Sequence, residues 1–97
     1  MTQTANQITE IRKAAEWADY ENTISNGWDI ASGAEHTALV KLADALEAEG
    51  PEAALALAAE IERKAQDAIN WDVDIRPNAG RRTAARKVTA ILTGVAA

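Results

Sequence analysis

Enzymatic chemistry needs groups that attack, shuttle protons or hold a metal, and few residues of this chain qualify. His36 is the only histidine. It would need a hydroxyl held in a nucleophile turn, and no Ser or Thr here sits in one. A single imidazole near the start of a helix reads as a surface residue. Asp72 and Asp74, followed by Asn78 and Gly80, have the spacing of a calcium loop. The fifth position of that loop would be Arg76, a cation where oxygen is required, and the twelfth would be Thr83 in place of a bidentate Glu. Carboxylate di-iron sites need two Glu-x-x-His pairs, which one histidine cannot supply. There is no cysteine, so thiolate metal sites and disulfides are excluded. Glycine-rich phosphate loops and dinucleotide fingerprints are absent as well. The expectation is no catalytic residue, no metal ligand and no cofactor: a non-enzyme.

The charge is more informative than its net value of −5. Residues 1–62 hold twelve acids against three bases, whereas residues 76–97 hold five bases and no acid. Arg81, Arg82, Arg86 and Lys87 form a basic surface on the last helix. They invite a nucleic-acid reading, but a recognition helix follows its partner after a turn of three or four residues, and the link here is longer. Nucleic acid is therefore not the expected partner. These cations are better matched to the acidic first half or to a second copy of the chain. Glu47, Glu49 and Glu52 mark the acidic surface, which either keeps the chain solvated or imitates a run of phosphates.

The elements that carry these groups are helical. Twenty-three of 97 residues are alanine and none is phenylalanine, which favours helix while supplying little buried area. The stretch from Pro51 to Ile69 has the longest helical pattern, with Ala54, Leu57, Ala58, Ile61, Ala65 and Ala68 on one face. The other elements are expected to arrange themselves around it. Thr4 with Gln7 has capping-box spacing and predicts a first helix over 4–25. Ile8, Ile11, Ala15 and Ala18 line one of its faces, and Trp17, Tyr20 and Ile24 line another. Such a two-sided helix is ordinarily sandwiched, with the aromatic face in the core; exposed, that face would be a partner-binding strip.

Asn26-Gly27 signals a turn, Gly27 taking the left-handed position. Ser32 with Glu35 forms a second capping box, predicting a helix over 33–49 that carries Leu39, Leu42, Ala43 and Leu46 on one face. Gly50-Pro51 implies a tight antiparallel hairpin between the second and third helices. Apolar and charged residues alternate through 70–78, which predicts an extended connector with Trp71, Val73 and Ile75 turned inward. A last helix over 79–94 carries Ala84, Ala85, Val88, Ile91, Leu92 and Val95 on one face, and Val95-Ala96-Ala97 is expected to fray. The fold class is thus all-α: one domain over 1–97, a compact bundle of four helices without internal repeats.

No run is apolar enough to span a membrane and the first residues lack a signal-peptide pattern, so a cytoplasmic location is expected. The function that best fits is a small non-enzymatic protein–protein interaction module that self-associates, with a protein partner of unknown identity and no membrane. The alternative is an acidic inhibitor of the phage or mobile-element kind, blocking a nucleic-acid-binding host or defence enzyme by phosphate mimicry. A third reading is a DNA-binding regulator using the basic last helix.

Overall fold

The computed structural model describes residues 3–94. Four helices make up the fold: α1 (Gln3–Ile24), α2 (Ile30–Glu49), α3 (Pro51–Asn70) and α4 (Ile75–Thr93). The polar pairs between them give their directions. Arg12 bonds Asp44 and Glu47, while Ser32 bonds Glu21, so α1 and α2 run antiparallel. Arg82 bonds Gln66 and Arg86 bonds Glu62, so α3 and α4 do too. Gly80 lies against Ala31, start to start, which leaves α2 and α4 parallel.

Those two helices are the centre of the molecule. Helix α2 packs chiefly on α1 and α4, and α4 chiefly on α2 and α3. The expected α2–α3 hairpin is joined by Gly50 alone, yet these two helices touch less closely than either touches α4. Residues 51–69 are indeed one rod, but a flanking one. Its buried side chains are only Ala54, Ala58 and Ala65. The largest fully buried side chains are Ile11, Leu39, Leu42, Leu46 and Val88, three of them on α2. Alanines complete the core, and small side chains let the helix axes approach. Gly80 marks one close approach: a Cβ there would overlap the carbonyl of Ala31.

Several boundaries differ from the sequence expectation for identifiable reasons. Thr4 lies inside α1 and not at its cap, and Gln7 is buried, its amide donating to Ile91 O at 3.5 Å. Helix α2 begins at Ile30 because Asp29 caps it, accepting from the Ser32 backbone N–H. Ser32 is therefore the third helical residue, its hydroxyl donating to Asp29 at 2.6 Å. Residues 70–78 are no extended connector. Val73 N–H bonds Ala68 O and Asp72 N–H bonds Ile69 O, a Schellman turn with Asp72 left-handed. Helix α4 then starts at Ile75, with Pro77 in its first turn, where no N–H partner is lost.

The α1–α2 turn uses the same bonds, Gly27 N–H to Asn22 O and Asn26 N–H to Thr23 O. Asn26 takes the left-handed position expected of Gly27, and Gly27 has positive φ as well. Helices α2 and α4 also share three identities where they meet. Thr37-Ala38-Leu39-Val40-Lys41-Leu42 in α2 corresponds to Thr83-Ala84-Ala85-Arg86-Lys87-Val88 in α4, an internal likeness too faint to read from the sequence alone. Val95 and the two alanines after it, named above as packing or fraying, lie outside the described residues.

Candidate interaction surface

Among the described residues the exposed large apolar side chains are Trp17, Tyr20, Ile24, Trp28, Ile30, Trp71, Val73 and Ile75. All belong to the end of α1, the α1–α2 turn, the start of α2, the α3–α4 turn or the start of α4. The helix directions established above place these segments at one end of the bundle. No indole reaches the core: Trp17 is 61%, Trp71 77% and Trp28 83% exposed.

The expectation that Trp17, Tyr20 and Ile24 are sandwiched is overturned. Ile11, Ala15 and Ala18 turn to α2, and no helix covers the opposite side of α1. The rings of Trp17 and Tyr20 lie 5.6 Å apart and line a shallow hollow with Lys13 and Glu16. The inward placement expected for Trp71, Val73 and Ile75 is overturned too. The Schellman turn carries them around the outside, whereas a period-two strand would have aimed them at the core.

Both turns are held firmly. Ser25 Oγ accepts from the Asp29 N–H and donates to Asn22 O. Buried Asn78 donates from Nδ2 to Val73 O and Asp74 O, and its Oδ1 accepts from Arg81. Asn26, Asp72 and Asp74 all have left-handed backbones, a conformation that Asn and Asp adopt more readily than other non-glycine residues.

The basic surface is largely engaged within the chain. Lys87 bonds Glu35 at 2.6 Å, Arg86 bonds Glu62 at 3.1 Å, and Arg82 bonds the Gln66 amide. Of the acidic surface, Glu47 shares the Arg12 guanidinium with Asp44, and these two carboxylates hold the Arg12 pKa above its ordinary value, Glu47 contributing most. Glu49 and Glu52 stand exposed at the other end of the bundle. His36 is a tie between helices: its Nδ1 lies 2.8 Å from Ala15 O, so that nitrogen carries the proton. Among the described residues no group of three or more His, Cys, Asp or Glu side chains is placed to hold a metal.

Sequence reasoning missed a groove of about 520 Å³ bounded by α2, α3 and the start of α4. Ile30, Ala34, Ala38, Ile61 and Pro77 form apolar walls, and Lys41 and Arg81 are its charged members. The nearest sequence signal was the small-residue run Gly33-Ala34, which leaves room beside α2.

Comparison of the chain with protein-family models, curated proteins and solved structures finds no match in any of the three. Among the described residues, no helix is long and apolar enough to cross a membrane.

Proposed function

We propose that this chain is a non-enzymatic, cytoplasmic protein-interaction module that associates with copies of itself through its tryptophan-rich end. One observation carries the reading: among the described residues, the exposed large apolar side chains gather at one end of the bundle and none stands at the other. Each aromatic ring can bury ~150–250 Å². Discounted for what the fold already covers, the four rings offer roughly 400–700 Å². Their aliphatic neighbours bring the end close to the ~800 Å² that each partner gives a stable interface. Aromatic side chains in such numbers are also the usual energetic centres of binding.

The other readings draw less support. Phosphate mimicry through Glu47, Glu49 and Glu52 loses one carboxylate to Arg12, leaving two exposed acids. A DNA-binding last helix has Lys87 and Arg86 already paired with carboxylates. Light scattering over a wide concentration range tests the proposal. A dimer or larger species that the combined Trp17→Ser, Trp28→Ser and Trp71→Ser variant weakens supports it, and a strict monomer at millimolar concentration counts against it.

A further inference from the structure

Helices α2 and α4 share Thr, Ala and Lys at equivalent positions (37, 38 and 41 against 83, 84 and 87), yet the seam between them is treated differently on its two sides. In the register that aligns Lys41 with Lys87, Glu35 aligns with Arg81. On one side Lys87 closes the seam by bonding Glu35 at 2.6 Å. On the other side the corresponding pair is Lys41 and Arg81, two cations, and there the groove stands open. Its lining contains no acid, although acids outnumber bases in the chain as a whole. Among the described residues neither Lys41 nor Arg81 has a carboxylate within ion-pairing distance; Arg81 donates only to Asn78. Lys41 acts on the Glu60 carboxylate only across a distance, that carboxylate being bonded by Lys64. Two cations without an ion pair thus stand above an apolar floor and suit an occupant that brings a carboxylate next to a large apolar side chain.

The same chain carries such a segment. On α1, Glu16 and Asp19 flank Trp17 and Tyr20, and neither carboxylate has a cation partner among the described residues. From Trp17 to Ile24 the strip is ~10 Å long, and the groove wall from Ile30 to Lys41 is ~16 Å, at a rise of about 1.5 Å per residue. We infer that the aromatic strip of α1 from one copy docks in the α2–α3–α4 groove of a second, with Glu16 or Asp19 answering Lys41 and Arg81. This rests on the self-association proposed above and says which surfaces meet. Strip and groove are different patches of one chain, so the contact is heterologous: it either closes by a reciprocal exchange or propagates into a chain of molecules.

Complementation of two broken copies tests this. One full-length variant carries Trp17→Ser and Tyr20→Ser, and the other carries Lys41→Glu and Arg81→Glu. A third, Lys41→Glu alone, guards against a disturbed turn, because Lys41 is exposed and its side chain makes no hydrogen bond or ion pair among the described residues. Circular dichroism confirms that each is folded. The expected result is self-association at least tenfold weaker than wild type for every variant, with an equimolar mixture of the strip and groove variants regaining a 1:1 complex that salt weakens. In that complex the backbone resonances of Thr37 and Ile61 shift in the strip variant. Groove variants that self-associate as wild type does overturn the inference and leave the interaction module standing, with an end-to-end tryptophan contact in its place. Mixed variants that fail to complement overturn it as well. A wild-type chain that stays monomeric and takes only a different acidic protein into the groove overturns it together with self-association.

Discussion

Replacing Gly80 by alanine separates a local argument from a tertiary one, because the two predict opposite signs. Gly80 lies inside α4, where exchanging glycine for alanine ordinarily stabilises a helix by ~0.8–1.0 kcal/mol. Here the added methyl would overlap the Ala31 carbonyl and lie 3.1 Å from the Glu35 backbone nitrogen. Both obstacles are backbone of a central helix, which cannot swing aside as a side chain can. Overpacking of this kind costs ~1–3 kcal/mol or more. Because the obstacle is rigid the upper end applies, and after the propensity gain the net loss is about 2 kcal/mol. For a domain of this size that lowers Tm by ~8–16 °C. Gly33→Ala is the matched control. It is also inside a helix, but its methyl would meet the Asn22 side-chain amide at 3.3 Å, which can rotate away. It should leave Tm unchanged or raise it by a few degrees. Thermal and urea denaturation of both variants provide the assay. A Gly80→Ala protein as stable as Gly33→Ala would refute the close α2–α4 contact, and with it the assignment of those helices as the centre of the fold.

The burial pattern makes a second contrast. Leu42→Ala removes a fully buried side chain from the core and should cost ~2–5 kcal/mol, whereas Trp71→Ser, at an exposed position, should fall within about 0.5 kcal/mol of wild type in urea titrations. Lys87→Met should lower the denaturation midpoint more than Lys64→Met does, because the Glu35 side chain it abandons is only 15% exposed while Glu60 is half exposed. Arg86→Glu sets a carboxylate against Glu62 and should loosen α4 from α3, seen as faster amide exchange along α3. Acid titration should follow Asp29. The Ser32 hydroxyl and then its backbone N–H hold the Asp29 carboxyl below the usual range. Its contribution is complete above the unfolded-chain pKa and is lost as pH falls through the depressed folded value. Asp29→Ala should therefore flatten that part of the stability–pH curve, and an unchanged curve would contradict the cap.

Helix faces were legible because they rest on a period that burial enforces. Ala54, Ala58 and Ala65 are buried as the spacing requires, as are Leu39, Leu42, Ala43 and Leu46. Rank among the helices was not legible. The regular stripe on α3 drew attention, yet its buried residues are alanines, and α2 holds the larger side chains at the crossing. The turn at Trp71–Asp74 misled because alternating apolar and charged residues look like a strand, and nothing local announces a left-handed aspartate at position 72. Trp17 and Trp71 were misplaced for a general reason: composition assigns large apolar residues to the core, and here alanines and a few aliphatic side chains fill it. The groove was hidden because Lys41, Ile61 and Arg81 are far apart in the chain and meet only through the pairing of α2, α3 and α4.

Intrinsic tryptophan fluorescence tests the central claim most directly, because no tryptophan is buried within one copy and all three stand at the end proposed to associate. Acrylamide quenching should be strong in dilute protein and fall as concentration rises, with emission shifting to the blue over the range where light scattering reports association. Quenching that stays strong at every concentration while larger species form would place the contact elsewhere. Weak quenching in dilute monomer would contradict the exposed tryptophan end itself.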